Sequence, residues 1–149
     1  MLQYQIFAIK KDFAYHYYYK GDILYRFIQH YVENKHCEDF SKQYHYITRD
    51  IPENVFLSNL KQKNINSKVI DPQTIQISDT HQRIYLQIHK RHITIYCPSL
   101  IEPEKLIFPV LRKLNRHLFV VGINVQEYGW LTSLSKIEDM HHQELYSFH

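Results

Sequence analysis

The fold is decided by residues 84–97, which read Ile84-Tyr85-Leu86-Gln87-Ile88, then His89-Lys90-Arg91-His92, then Ile93-Thr94-Ile95-Tyr96-Cys97. In the two outer runs a large apolar side chain recurs at every second position, which is the period of a β-strand with one buried face. The four polar residues between the runs are typical of a hairpin tip. The stretch therefore predicts two neighbouring antiparallel strands, and with them a sheet.

Further strands are predicted on both sides of this hairpin. Residues 3–9 alternate as a strand does, and both of their faces are apolar enough for an interior position. One face carries Tyr4, Ile6 and Ala8, and the other carries Gln5, Phe7 and Ile9. Residues enriched in β-branched side chains predict strands at 69–70 and 75–77, and a last strand is predicted over 118–125.

Helical spacing accounts for most of the remaining chain. An aromatic-rich helix is predicted between Asp12, as its N-cap, and Gly21, as its C-terminal stop, after which Asp22 can cap a second helix. The second helix has a core stripe of Leu24, Phe27, Ile28 and Tyr31, and a third, over residues 38–48, has Phe40, Gln43, Tyr44 and Ile47. Residues 53–63 are compatible with a short helix, and Pro109 is expected to kink or divide a helix over 102–115.

Length and composition indicate one globular domain. The chain has 149 residues, of which 44% are hydrophobic, and this is enough to bury a core. We predict an α+β fold over residues 1–131, in which an N-terminal strand leads into a helical segment. Helices cover a largely antiparallel or mixed sheet of about five strands. Residues 132–149 are expected to form a C-terminal tail that can be flexible.

Charge and targeting signals favour a cytoplasmic protein. The net charge is only +3, which is not the concentrated cationic surface that general phosphate binding requires. No apolar stretch approaches the length that crosses a bilayer, and the N-terminus lacks the pattern of a secretory signal. In that compartment Cys37 and Cys97 are expected to be reduced, half-buried thiols.

The sequence carries no recognisable catalytic or cofactor motif. The histidine pairs are adjacent, as at His141-His142, whereas zinc ligands usually stand two to five residues apart in paired clusters. No serine elbow or phosphate-cradling glycine loop is present. We therefore expect a protein that is not an enzyme and that has no metal and no cofactor.

The run Phe13-Ala14-Tyr15-His16-Tyr17-Tyr18-Tyr19 indicates a binding surface. A wholly buried helix would need partners for four tyrosine hydroxyls, which is a costly interior. At 3.6 residues per turn, Phe13 and Tyr17 share one face, and the other tyrosines point elsewhere. The alternative is a tyrosine-rich, half-buried helix with wet hydroxyls and no partner.

A second candidate surface is the basic hairpin. Arg83, Lys90 and Arg91, together with Tyr85 and Tyr96, combine cations with aromatic rings, as proteins that bind single-stranded nucleic acid do. A small nucleic-acid-binding module is therefore the alternative function. Against it, such tyrosines usually pack on a sheet face, and a Lys-Arg tip is a common solvated turn.

Three sequence motifs lie in the order and at the separations of a known family. The first runs from Tyr4 to Tyr18 and contains Ile9-Lys10-Lys11-Asp12-Phe13-Ala14-Tyr15-His16-Tyr17. The second is Tyr46-Ile47-Thr48 with Ile51-Pro52, preceded by Gln43, and the third is Tyr128-Gly129-Trp130-Leu131. Together they resemble the SirA family, the sporulation inhibitors of replication of Bacillus and its relatives.

The resemblance implies a non-enzymatic inhibitor of chromosome replication that binds the N-terminal domain of the initiator DnaA during sporulation. It implies Phe13 and Tyr17 as the anchoring aromatics, and Gln43, Tyr46 and Ile47 as the rest of the contact patch, with Tyr18 beside them. A monomer that forms a 1:1 complex is expected, without membrane or direct nucleic-acid binding. Tyr128, Gly129 and Trp130 are interpreted as structural, with the glycine permitting a tight turn and Trp130 packing on the sheet.

Overall fold

An antiparallel sheet organises the computed structural model, which describes residues 1–78, 81–114 and 117–132. Its strands are β1 (Leu2–Ala8), β2 (Ser67–Asp71), β3 (Thr74–Ile77), β4 (Ile84–Ile88), β5 (His92–Cys97), β6 (Leu118–Gly122) and β7 (Tyr128–Trp130). Their spatial order is β2-β3-β4-β5-β1-β6-β7. The predicted hairpin is confirmed, with Leu86 opposite Ile95 and Ile88 opposite Ile93.

Strand β1 lies inside the sheet and is buried on both faces. It pairs antiparallel with β5 on one side and with β6 on the other. Tyr4, Ile6 and Ala8 belong to one core cluster, whereas Phe7 and the following Ile9 belong to a second cluster on the opposite face. The predicted interior strand is therefore confirmed, together with its two apolar faces.

Helices cover the sheet in two layers. They are α1 (Lys11–Tyr17), α2 (Gly21–Glu33), α3 (Glu38–Ile47), α4 (Glu53–Gln62), α5 (Ile101–Leu106) and α6 (Phe108–Leu114). Buried residues of α4 and α6 join the first core cluster, against which Leu106 of α5 packs, and buried residues of α1, α2 and α3 join the second. The division at Pro109 is confirmed, since α5 ends at Leu106 and the proline lies in the first turn of α6.

The α+β class is confirmed, but the sheet has seven strands rather than about five. The six predicted strand segments correspond to β1 to β6, and the strand that sequence periodicity missed is β7, whose three residues are too few to show an alternating pattern. The last long strand also ends earlier than predicted, at Gly122 instead of residue 125. The predicted boundary at residue 131 stays a prediction, and 133–149 of the expected tail lie outside the described residues.

The first helix begins and ends at other residues than the sequence predicts. Lys10 is the N-cap, and Asp12 lies within the first turn. The helix ends at Tyr17, and Gly21 begins α2 instead of terminating α1. Main-chain hydrogen bonds explain both differences: Lys10 bonds to the end of α3, and the Lys20 carbonyl accepts the N–H groups of Ile23 and Leu24, so that α2 begins at Gly21.

The two cysteines are free but are not half-buried as predicted. Cys37 is exposed, directly before α3, and Cys97 is buried at the end of β5. Burial raises the pKa of the Cys97 thiol to about 11. Among the described residues, the helices are too short or too polar to span a bilayer.

Candidate protein-interaction surface

Main-chain hydrogen bonds join the start of α1 to the end of α3. Ile9 forms an isolated antiparallel bridge with Thr48. The Lys10 N–H donates to the Ile47 carbonyl at 2.8 Å, and the Arg49 N–H donates to the Ala8 carbonyl at 2.9 Å. Because these bonds use the backbone, they set the relative positions of the two helices independently of flexible side chains.

This junction brings Phe13 of α1 against Tyr46 of α3. Their ring centroids lie 5.3 Å apart at an interplanar angle of 73°, which is the favourable edge-to-face arrangement. The Lys10 ammonium lies 5.1 Å from the centroid of the Tyr46 ring, a cation–π contact. Tyr46 is nevertheless 67% exposed. We call Phe13, Tyr17 and Tyr46 the aromatic patch.

The inner side of α1 is fixed by a small residue. Ala14 is completely buried, and Phe13 and Tyr17, one helical turn apart, are half-buried against the second core cluster. The two rings therefore present one edge to the core and the other to solvent. An anchored but partly exposed ring loses little rotamer freedom when a partner covers it.

Two other predicted contact residues on α3 differ in exposure. Gln43 is exposed and free to offer an amide at the edge of the patch. Ile47 is only 9% exposed and belongs to the second core cluster. It can therefore support the patch from beneath, whereas its own contact area for a partner is small.

The structure places Tyr18 away from the aromatic patch. Five residues along a helix correspond to a rotation of about 140° from Phe13. The Tyr18 ring stacks on Trp130, with centroids 5.8 Å apart and an interplanar angle of 16°. Tyr15 meets the buried His117 edge-to-face at 5.4 Å. The aromatic run is thus divided between a solvent-facing side and a side that packs within the fold.

The motif Tyr128-Gly129-Trp130 forms β7 rather than a turn. Trp130 meets Phe119 at 4.9 Å, and Tyr128 stacks on Tyr25 at 4.5 Å, so both rings join the sheet to the first two helices. The predicted tight turn at Gly129 is wrong, because Gly129 pairs with Val120 in a regular ladder and a Cβ there would meet nothing within 4 Å. The crowded glycine is Gly122, where a Cβ would lie 2.3 Å from the Val125 carbonyl oxygen.

Arg91 at the hairpin tip supports the end of α3, a role that the sequence did not reveal. Its Nη1 donates to the Thr48 carbonyl at 3.0 Å and to the His45 carbonyl at 3.4 Å, and its Nε lies 3.6 Å from Asp50. These contacts satisfy carbonyl groups that the helix end leaves without intrahelical partners. In the sequence this role is indicated only by a lysine-arginine pair in a polar hairpin tip, and that pair does not indicate which helix end the arginine contacts.

The two tyrosines of the basic hairpin lie apart from the two cations of its tip, whereas the exposed Arg83 directly precedes β4. Tyr85 and Tyr96 lie opposite each other in β4 and β5, about 16 Å along the strand from Lys90. The Tyr96 hydroxyl donates to Gln87 at 3.3 Å, and Arg91 is engaged with α3. Within the ranges that the structure describes, histidine, cysteine and acidic residues form no group that could hold a metal ion.

The protein is therefore a small α+β protein with a candidate surface for binding another protein. That surface is the aromatic patch, which lies on two helices joined by backbone hydrogen bonds. The comparison with known families agrees with this class. The family model described as "Sporulation inhibitor of replication protein SirA" matches residues 2–135. The chain therefore belongs to the SirA family, and the resemblance that the three motifs indicate is confirmed.

A relative in Bacillus subtilis (strain 168) supports this assignment. It is the sporulation inhibitor of replication protein SirA, and it is 28% identical to the chain over 146 residues. The matched region covers 89% of this chain and 95% of the relative. The family match over residues 2–135 spans the sheet and all six described helices, so the likeness is not confined to the three motifs.

Proposed function

We propose that this protein inhibits the initiation of chromosome replication by binding the N-terminal domain of the initiator DnaA through the aromatic patch. It acts as a binding protein without enzymatic activity, in the cytoplasm, and forms a 1:1 complex. Membership of a family named for inhibition of replication supports the general function. The edge-to-face pair of Phe13 and Tyr46, held by backbone bonds between α1 and α3, is the observation that supports the surface.

The patch has the physical properties of a binding hot spot. Aromatic rings supply a large contact area at low conformational cost, and such anchors dominate binding energy when water is excluded around them. Phe13 and Tyr17 are immobilised by the second core cluster before any partner arrives. Exposed polar groups at the margin, Gln43 and Lys10, can form the rim that excludes water from the rings.

Calorimetric titration of the purified DnaA N-terminal domain into this protein tests the proposal, and light scattering on the mixture gives the stoichiometry. Truncating a central aromatic anchor costs about 2 kcal/mol or more. Phe13→Ala, Tyr17→Ala and Tyr46→Ala should therefore each weaken binding by about thirtyfold or more. Binding should persist at moderate salt, because the anchoring contacts are apolar rather than ionic.

Tyr19→Ala is the matched control. Tyr19 is an aromatic residue just beyond the same helix, it is 74% exposed, and its ring contacts Tyr18 rather than the patch. This variant should bind as the wild type does. Circular dichroism should show unchanged secondary structure in all four variants. Equal affinities for wild type, Phe13→Ala and Tyr46→Ala would refute the proposed surface, and no complex with the wild type would refute the proposed partner.

A further inference from the structure

A cavity of about 230 Å³ lies between the helices α2 and α3 and the tip of the β4–β5 hairpin. Its floor is the stacked pair Tyr31 and Tyr44, whose ring centroids are 4.0 Å apart at an interplanar angle of 10°. The wall on the hairpin side includes His89 and His92, which stack at 4.4 Å, and the exposed Lys90. The cavity lies on the flank of α3 that carries His45, whereas Phe13 meets the flank that carries Tyr46.

Positive charge exceeds negative charge around this cavity. Lys90 and Arg91 line it, and Lys35 is close enough to lower the pKa of both His89 and His92. Among the described residues, the carboxylate that pairs with these cations is Asp50, at 3.6 Å from Arg91. Three cationic side chains therefore face one carboxylate, an excess that an anion with two negative charges would neutralise.

The neutral groups of the cavity are suited to donate hydrogen bonds to such an anion. Burial raises the pKa of both Tyr31 and Tyr44, so both phenols stay protonated near pH 7, and the opposing effect of Arg91 places them near the guanidinium. Burial is the largest cause of the lowered pKa of His92, at about 4, so that its ring is neutral near pH 7 and carries one N–H. A cluster of phenol, imidazole and ammonium donors matches the several acceptor oxygens of a phosphate group.

We propose that this cavity binds a phosphate dianion, either inorganic phosphate or the terminal phosphate of a small monoester. A phosphodiester is the poorer match, because each of its phosphates carries one negative charge and two ester substituents. The proposal concerns the protein alone. Its outcome is therefore independent of whether the aromatic patch binds DnaA.

Titration of the full-length protein with sodium phosphate at constant ionic strength, followed by heteronuclear NMR, tests the proposal. Amide signals of residues 89–92 should shift along a saturable curve, and sodium chloride at the same ionic strength should leave them in place. Lys90→Ala should weaken phosphate binding about tenfold, because it removes one charge-assisted contact. Its backbone carbonyl, which accepts a bond from the Ile51 N–H at 2.7 Å, is retained, so the hairpin tip keeps its anchor.

Lys68→Ala is the control variant, because Lys68 is an exposed lysine on β2, an edge strand of the sheet. It should bind phosphate as the wild type does. Glycerol phosphate and a short thymidine oligonucleotide without terminal phosphates separate the sources of the ligand. Saturable shifts with glycerol phosphate support a monoester. Non-saturable phosphate shifts, an unchanged affinity in Lys90→Ala, or binding of the oligonucleotide alone would overturn the proposal.

Discussion

Replacing Arg91 by methionine tests whether the hairpin tip holds the end of α3. Methionine keeps an unbranched apolar stem, so that the change removes the guanidinium and little else. The bond that matters most joins Nη1 to the Thr48 carbonyl at 3.0 Å, because Thr48 is only 1% exposed. Once the guanidinium is absent, that carbonyl loses a donor in a place that water reaches poorly.

The magnitude follows from the burial of the acceptor. A buried group left without its hydrogen bond costs about 1–3 kcal/mol. The ion pair with Asp50 adds about 0–1 kcal/mol, since it is long, at 3.6 Å, and the aspartate side chain is mostly exposed. We expect the free energy of unfolding to fall by about 2 kcal/mol, which corresponds to a melting temperature lower by about 4–8 °C for a domain of this size.

Urea unfolding followed by circular dichroism measures this difference. Arg49→Met is the matched control, because Arg49 is exposed, close to the same helix end, and bonded to Ala8 through its backbone N–H, which the change retains. The free energy of unfolding of the control should lie within about 0.5 kcal/mol of the wild-type value. If Arg91→Met is as stable as Arg49→Met, the hairpin tip does not stabilise α3 and the reasoning is wrong.

Three further predictions concern other parts of the fold. Burial, aided by His89 and Lys35, lowers the pKa of His92 from 6.5 to about 4, so the unfolded chain takes up that proton first as the pH falls. The free energy of unfolding should therefore be highest above about pH 6.5 and fall by up to about 3 kcal/mol towards pH 4. Urea unfolding at several pH values measures this fall, which should be smaller in His92→Gln. Gly122→Ala should lower the free energy of unfolding by about 2 kcal/mol or more, because its Cβ would lie 2.3 Å from the Val125 carbonyl oxygen. Gly129→Ala should change this free energy by less than about 0.5 kcal/mol, and thermal unfolding of the two variants compares them. A thiol reagent should label Cys37 in the native protein and Cys97 only after unfolding, because Cys97 is buried and its pKa is raised to about 11; labelling of both at equal rates would contradict its burial.

Segments with strong periodicity were predictable from the sequence. The alternation in residues 84–97 identified the hairpin, and the spacing of Leu24 and Ile28 identified α2 and its buried face. Local propensity suffices where a segment is long enough to show its period. β7 has three residues, one of them glycine, and its place at the sheet edge depends on pairing with β6.

Element boundaries set by tertiary contacts were not predictable in the same way. Asp12 is a good N-cap by residue type, yet α1 starts from Lys10, because the chain leaves β1 already bonded to the end of α3. Likewise, Gly21 is a common helix terminator, but here it is the first residue of α2, whose first turn bonds to the Lys20 carbonyl. At α1 a contact with a distant residue outweighs the local preference, and at Gly21 the start of the next helix does so.

The candidate surface was only partly predictable from the sequence, because it too depends on contacts between residues that are distant along the chain. Helical phase separates Phe13 and Tyr17 from Tyr18, and the structure agrees, since Tyr18 stacks on Trp130. Phase says nothing, however, about Tyr46, which is 33 positions away from Phe13 along the chain and meets it only through the α1–α3 junction. The family resemblance supplied that connection before the fold did.

The geometry of the aromatic patch depends on three segments that are distant in sequence. Lys10 fixes the start of α1 on Ile47, and Arg91 fixes the end of α3 from the hairpin tip. The relative position of Phe13 and Tyr46 is therefore set at the point where these contacts converge, not within either helix. A substitution of Arg91 changes no residue of the aromatic patch, but it should weaken partner binding as well as lower stability. Without Arg91 the end of α3 is more mobile, and it must be ordered again when the complex forms. This links the β-hairpin that decides the fold to the surface that we propose for function.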